Sequence, residues 1–230
     1  MASTTIVTGG TGGLGTAVVE RLLADGWRVV VPWIAESELD RLPPRDGLEL
    51  VRADLFDHDA VAGVVSVAAS DAGAPLRGVV NLVGGFAAPG RVGEAPIDEF
   101  EAQFRLNLRP AYLVIQAALP HLVEAGGGSI VCTSSRAALM PFPGAAGYIC
   151  SKAAVIAFAH ALSVEYRDDG VRCNAILPSV IDTPHNRAAR PNADHDRWVK
   201  PAEIAGVIAH LLSDDSVPTS GAAIPVYGRA

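Results

Sequence analysis

Several residue types are scarce in this 230-residue chain, and each scarcity excludes a class of protein. The three cysteines (Cys132, Cys150 and Cys173) are odd in number and lack metal-ligand spacing, so we expect reduced thiols, no disulfide framework and no metal site. The 18 lysines and arginines form no basic block, and the net charge is −7. This balance argues against nucleic acid and against an anionic membrane surface as partners.

A targeting segment and a long apolar run are also absent from the sequence. The N-terminus leads directly into a short apolar run at 5–7, which predicts no signal peptide. No run approaches the ~20 apolar residues that span a bilayer, so no membrane segment is predicted. Half of the residues are hydrophobic, enough for a large core. We therefore expect one cytoplasmic domain over residues 1–230.

What the chain does contain is an alternation of short β-rich runs with longer helical patterns. The predicted strands are 5–7, 28–31, 48–51, 78–82, 129–133, 171–176 and 222–226. The predicted helices are 16–25, 35–42, 60–72, 97–123, 146–168 and 201–212. This order predicts an α/β fold, a doubly wound and mostly parallel seven-stranded sheet with helices on both faces. The long irregular stretch 178–200 is predicted to be a substrate lid.

The first strand is followed by a glycine-rich turn, Thr8-Gly-Gly-Thr-Gly-Gly-Leu-Gly15, and then by a helix. We expect Gly9 to permit the tight turn, Gly13 to let the backbone approach a pyrophosphate, and Gly15 to let the helix pack closely on the sheet. The N-terminus of that helix would face the phosphates with its positive end. The turn predicts a dinucleotide site.

A second motif combines Ser135, Tyr148 and Lys152. Tyr148 and Lys152 are four residues apart, so on a helix they share one face. A lysine ammonium beside a phenol favours the phenolate, so we expect a lowered pKa for Tyr148 and proton exchange with a substrate oxygen near neutral pH. Ser135 follows a predicted strand and would hold that oxygen by a hydrogen bond.

Together these motifs resemble the classical short-chain dehydrogenases/reductases, and the resemblance covers nearly the whole chain. It implies a single-domain Rossmann fold and an NAD(P)-dependent oxidoreductase that interconverts a small-molecule carbonyl and alcohol. Asn81-Leu-Val-Gly84 keeps the first and last residues of the family's Asn-Asn-Ala-Gly, and Ser179 replaces the glycine of its Pro-Gly. The cofactor-binding residues that the resemblance implies are Thr8, Gly9, Gly13, Leu14, Gly15, Trp33, Asp54, Leu55, Asn81, Gly84, Tyr148, Lys152, Pro178 and Thr183.

The resemblance also implies the catalytic roles. Tyr148 would be the general acid in carbonyl reduction and the base in alcohol oxidation. Lys152 would bind the nicotinamide ribose and lower the pKa of Tyr148, and Ser135 would orient the substrate oxygen. Asn107 would hold a water that links Lys152 to solvent. The same family pairs its two longest helices across a two-fold axis, so we expect a homodimer or homotetramer.

The sequence does not resolve NAD from NADP. The acid that NAD users carry after the second strand is replaced by Trp33, and the base of NADP users by Ile34. Glu36 and Glu38 follow closely, but acids in the first turn of a helix also stabilise the helix itself. We therefore expect no strong preference.

The substrate pocket is predicted from apolar and loop residues: Phe86, Arg136, Met140, Phe142 and His185. Arg136 would bind an anionic group or simply be a surface arginine, and His185 would be a ligand or a solvated loop residue. The lid also resembles that of dihydropteridine reductases, although those enzymes lack the active-site serine. A pterin or quinonoid reductase, and a non-catalytic dinucleotide sensor, remain alternatives.

Overall fold

The computed structural model describes residues 3–229, and its centre is one parallel sheet. Short runs rich in Val, Ile and Leu form the strands, because side chains buried on both faces of a parallel sheet must be apolar. The seven strands are β1 Thr4–Thr8, β2 Arg28–Trp33, β3 Leu48–Arg52, β4 Leu76–Asn81, β5 Gly128–Thr133, β6 Val171–Pro178 and β7 Ala223–Val226.

The strands run in the order β3-β2-β1-β4-β5-β6-β7, and every pair is parallel. All carboxyl ends therefore lie at one edge of the sheet. The chain winds outward in one direction from β1 to β3 and in the other from β4 to β7, so the order reverses between β1 and β4. Ligands of such sheets bind outside the carboxyl ends at this reversal.

Helices cover both faces of the sheet. They are α1 Gly15–Ala24, α2 His58–Ala69, α3 Ile97–Glu124, α4 Ala146–Glu165, α5 Pro184–Ala189 and α6 Pro201–Leu212. One core lies between the sheet and α2, α3 and α4, and the other lies between the sheet and α1 and α6. This confirms the predicted α/β fold with its seven-stranded parallel sheet and two helical layers.

Three local predictions were wrong. The segment 35–42 forms a 3-10 helix, Glu36–Arg41, since no residue of this helix is buried and Pro43-Pro44 prevents its continuation; only Leu42 after it enters the core. The stretch 178–200 is partly regular, with α5 and a short 3-10 helix, His195–Arg197. The expectation that no segment could span a bilayer was also wrong, because α4 is long and apolar enough by length and composition.

In this fold, α4 packs against α3, β5 and β6. Its buried residues include Val155, Ala159 and Leu162, which belong to the core beneath it. Its apolar composition thus serves helix and sheet packing, and the same helix carries Tyr148 and Lys152 to the carboxyl edge.

Candidate active site

The glycine turn leaves β1 at the point where the strand order reverses. Gly9 has a positive φ of 68°, and the Gly12 N–H donates to the Gly9 carbonyl at 3.0 Å. A Cβ on Gly15 would overlap that same carbonyl oxygen, so Gly15 is required by the turn itself. Close packing against the sheet, which we predicted for Gly15, belongs to Gly10, where a Cβ would lie 2.7 Å from a methyl group of Val31.

The start of α1 is open to an anion. The helix begins after Leu14 with no side-chain cap and no acidic residue in its first turn. The Thr16 N–H donates to the Gly12 carbonyl at 3.0 Å, and the positive end of the helix dipole remains available to an anion. A Cβ on Gly13 would lie 3.1 Å from the Thr183 methyl carbon, so Thr183 lies directly against the glycine turn. This contact brings the segment 178–200 to the predicted pyrophosphate site.

Polar groups at the ends of β1 and β4 join these two strands. The buried Thr8 hydroxyl accepts from the Leu82 N–H at 3.2 Å and donates to Asn81 Oδ1 at 3.4 Å. The Asn81 Nδ2 is buried and has no hydrogen-bond partner within residues 3–229. A buried amide group without a partner is costly, so this donor is available to a bound molecule.

Asn107 fixes the loop that follows β4. From the middle of α3, its side chain accepts from the Gly85 N–H at 2.9 Å and donates to the Gly85 carbonyl at 3.1 Å. It also donates to the Ser151 hydroxyl on α4 at 3.0 Å. The amide therefore holds the loop and the two helices together. The water that Asn107 is expected to hold remains a prediction.

Lys152 lies in the same place, almost completely buried. Its Nζ donates to the Thr133 carbonyl at the end of β5, at 3.0 Å. A Cβ on Gly84 would lie 2.6 Å from Asn107 Oδ1 and 2.9 Å from Lys152 Nζ. The structure thus brings Gly84, Asn107 and Lys152 together as predicted. Burial lowers the pKa of Lys152 to about 8, and the nearby Cys132 opposes this by raising it.

Tyr148 and Ser135 complete this cluster, but the electrostatics differ from the prediction. Burial raises the pKa of Tyr148, and the nearby Ser135 hydroxyl acts in the opposite direction. We predicted that Lys152 would lower this pKa. That direction is wrong in this structure, because the phenol is desolvated and the ammonium donates to the Thr133 carbonyl. Tyr148 therefore keeps its proton at neutral pH.

An apolar rim, formed by Phe86 and Phe142, lies on one side of the Tyr148 ring. The Phe86 ring meets it edge-on at a centroid distance of 5.0 Å, and Phe142 lies 6.3 Å from Phe86. Phe86, Met140 and Phe142 expose roughly half of their surface, as does Leu139, which the sequence pattern did not single out. Exposed apolar side chains grouped in this way are typical of a ligand-binding surface.

Arg136 and His185 have different surroundings. The Arg136 guanidinium lies 5.2 Å from the centre of the Tyr227 ring, and its Nε donates to the Met140 sulfur at 3.3 Å. Arg136 thus lies at the rim, held by Tyr227 just after β7. His185 is exposed on α5, and within residues 3–229 its ring makes no hydrogen bond or ring stacking with the cluster.

The remaining predicted cofactor residues lie along the carboxyl edge. Trp33 ends β2 and Pro178 ends β6. Asp54 accepts from the Phe56 N–H at 2.9 Å, which forms the turn after β3, and Leu55 is buried there. No cluster of metal-ligating side chains occurs in the part of the chain that the structure describes.

Comparisons with known proteins agree with this geometry. A family model described as "short chain dehydrogenase" matches residues 3–194. The 2-(R)-hydroxypropyl-CoM dehydrogenase of Xanthobacter autotrophicus is 30% identical over 99% of this chain and 98% of its own length. A short-chain type dehydrogenase/reductase from Mycobacterium ulcerans superposes with a TM-score of 0.91 at 26% identity, covering 99% of this chain and 89% of its own. An NAD⁺-bound xylitol dehydrogenase superposes with a TM-score of 0.88 at 25% identity, covering 98% of each chain.

Proposed function

Because the chain belongs to the short-chain dehydrogenase family, we propose that it is an NAD(P)-dependent oxidoreductase that interconverts a small-molecule alcohol and its carbonyl compound, with Tyr148 as the acid–base group. The observation that carries the proposal is the cluster at the carboxyl edge. Lys152 and Asn107 meet at Gly84, and Tyr148 lies with Ser135 beside an apolar rim. A proton donor, an oxygen-holding hydroxyl and a buried ammonium are what carbonyl reduction needs.

The residues at the strand-order reversal fit a dinucleotide. The uncapped start of α1 suits a pyrophosphate, and a Cβ on Gly15 would fill the turn that approaches it. Within residues 3–229, the buried Asn81 Nδ2 and Thr133 Oγ1 have no hydrogen-bond partner, so they are polar groups that a bound cofactor can satisfy. When bound, the nicotinamide supplies or accepts the hydride.

The chain's own groups then handle the proton and the substrate oxygen. Tyr148 retains its proton at neutral pH, so it donates to the oxygen of a carbonyl compound and takes a proton back from an alcohol. Ser135 holds the same oxygen by a hydrogen bond. Lys152, cationic below about pH 8, binds the nicotinamide ribose.

The rim indicates part of the substrate's character. Phe86 and Phe142 present apolar surface beside Tyr148, so we propose a substrate whose carbonyl or alcohol carbon bears an apolar or aromatic group. The named relatives are dehydrogenases of different alcohols, 2-(R)-hydroxypropyl-CoM and xylitol, so neither substrate is carried over.

A dihydropteridine reductase was the alternative within this fold. Dihydropteridine reductases lack the active-site serine. In this chain Ser135 lies close to Tyr148, and its hydroxyl acts to lower the pKa of the phenol. The alternative stays a prediction, and carbonyl–alcohol chemistry is the function that we propose.

The proposal is tested by Tyr148→Phe, which removes the acid–base hydroxyl and keeps the ring. We expect turnover to fall by about a hundredfold or more on the best substrate from a panel of ketones, aldehydes and alcohols, because a positioned proton donor contributes that much. Cofactor affinity should change little. Tyr166→Phe, which removes a hydroxyl at the end of α4, is the matched control. Near-normal turnover of Tyr148→Phe would refute the assigned role.

A further inference from the structure

Arg136 follows the active-site serine directly, and its charge is not neutralised by the protein. Within residues 3–229, Arg136 takes part in no ion pair, since all the ion pairs there join other residues. Its Nε donates to the Met140 sulfur at 3.3 Å, and a thioether is a weak acceptor. Arg136 is half-buried, so its two terminal nitrogens keep donors that a bound anion could accept from.

Contacts between the ends of β6 and β7 hold this guanidinium in place. It lies 5.2 Å from the centre of the Tyr227 ring, an attractive position for a cation. The Tyr227 carbonyl accepts from the Ser179 hydroxyl at 2.6 Å, and the Ser179 N–H donates to the Val226 carbonyl at 3.3 Å. Ser179 is the residue that replaces the glycine of the Pro-Gly motif. The fold therefore positions Arg136 by an aromatic ring that is itself anchored.

Arg136 has a fixed position relative to the reacting oxygen. Ser135 lies close to Tyr148 and caps the short 3-10 helix Arg136–Ala138, accepting from the Ala137 N–H at 3.2 Å. Consecutive Cα atoms are about 3.8 Å apart, so Ser135 and Arg136 leave the backbone at neighbouring points. A molecule whose oxygen is held by Ser135 and Tyr148 can therefore place a second group against Arg136.

We propose that Arg136 binds a carboxylate of the substrate, and so selects compounds in which an apolar or aromatic group joins that carboxylate to the reacting carbonyl or alcohol carbon. The inference rests on the proposed function, because it concerns that enzyme's substrate. It assigns separate parts of one molecule to the proton donor, to the apolar rim of Phe86 and Phe142, and to the cation.

The charges of the site favour an anionic group. Lys152 provides a second positive charge at the same edge of the sheet at neutral pH. The polar residues Asn107, Ser135 and Tyr148 and the aromatic rim add no acidic side chain to it. A planar guanidinium can bind both oxygens of a carboxylate at once, and such charge-assisted pairs are stronger than neutral hydrogen bonds. A neutral substrate would leave this cation without a counter-charge.

A purely structural role for Arg136 makes a different prediction. If its guanidinium served only to join the 3-10 helix to Tyr227, its loss would weaken the binding of charged and neutral substrates alike. If it binds a carboxylate, its loss should weaken the binding of the acid and leave that of the matching amide nearly unchanged. The ratio of the two affinities separates the roles.

The experiment measures dissociation constants by calorimetry for the protein saturated with oxidised cofactor, where a ketone binds without turnover. The probes are 4-acetylbenzoate with 4-acetylbenzamide, and 3-acetylbenzoate with 3-acetylbenzamide. In at least one pair the acid should bind more tightly than its amide by about tenfold or more, as expected for one charge-assisted contact. Arg136→Leu should bring this ratio to about one, and Arg136→Lys should keep part of it, because lysine retains the charge but not the planar fork.

Arg91→Leu is the matched control. It removes the same charge from an exposed residue that lines the cavity beside Phe142. Its ratio of acid to amide affinity should stay within about twofold of the unsubstituted protein, because exposed charges are screened. Thermal melting of each variant verifies its folding.

Three results would overturn the inference: no preference for the acid in either pair, a preference that Arg136→Leu leaves unchanged, or an equal loss in Arg91→Leu. The proposed function is judged separately, by turnover of neutral ketones, aldehydes and alcohols. Turnover of these compounds without any preference for the acids would refute only the role of Arg136. Absence of turnover across the whole panel, acids included, would refute the proposed function.

Discussion

Burial of the Lys152 ammonium should cost the protein stability at neutral pH. The side chain is 5% exposed, and its one hydrogen bond within residues 3–229 runs to the Thr133 carbonyl. Its pKa falls from the ordinary 10.5 to about 8. A group that binds its proton more weakly in the folded state than in the unfolded one opposes folding while it is protonated. This lowering of the pKa corresponds to a loss of about 3 kcal/mol in the free energy of unfolding.

The substitution Lys152→Met should therefore stabilise the fold at pH 7 while abolishing most activity. Methionine fills similar space without a charge, which removes the cost of about 3 kcal/mol. The Thr133 carbonyl loses its hydrogen-bond donor, which lowers the free energy of unfolding by about 1 kcal/mol. We expect a net gain of about 2 kcal/mol at pH 7, and a loss of turnover of at least about a hundredfold.

The pH dependence gives the decisive measurement. The cost of the lysine is complete below pH 8, declines between about 8 and 10.5, and is absent above. Urea denaturation at fixed protein concentration gives the free energy of unfolding of each protein. The excess stability of Lys152→Met over the unsubstituted protein should shrink and then reverse over this pH range. Lys200→Met, at an exposed residue, is the control and should show no such trend. A stability difference between Lys152→Met and the unsubstituted protein that stays constant from pH 7 to 10.5 would refute the reasoning.

The sheet was predictable because the apolar runs in the sequence are the segments that the fold buries as strands. Each strand is a short apolar run, as required of strands covered on both faces, and each alternates with a segment that can cover it. The segment 35–42 failed for the same reason in reverse. It buries one apolar side chain, Leu42, and its other residues are exposed or half-buried, so the two prolines that follow decided its form.

The site was predictable wherever residue type and spacing alone carry the chemistry. Asn107, Lys152 and Gly84 meet as the motifs indicated, since Gly84 follows the end of β4 and Lys152 lies in the first two turns of α4. The raised pKa of Tyr148 was missed, because spacing reveals a neighbouring charge but not the degree of burial. Contacts between distant segments, such as Thr11 with Glu38, leave no signal in a local pattern.

Two further predictions concern the Gly84 position and the assembly. Gly84→Ala should lower turnover by about tenfold or more, since its Cβ would collide with the active-site residues Asn107 and Lys152. Gly93→Ala, where a Cβ meets nothing within 4 Å, is the control. Equal activity of the two variants would contradict the packing argument. For the assembly, α3 and α4 present Tyr112, 48% exposed and stacked on Phe158 at 5.6 Å, and Val164 is exposed further along α4. Apolar surface of this kind is best buried by a second copy, so we expect light scattering to return a dimer or tetramer of the 23.8 kDa chain, and Val164→Glu to shift it toward smaller species. A monomer mass at micromolar concentration would show that these helices are covered by nothing but solvent, and that their apolar faces serve only the packing of α3 against α4.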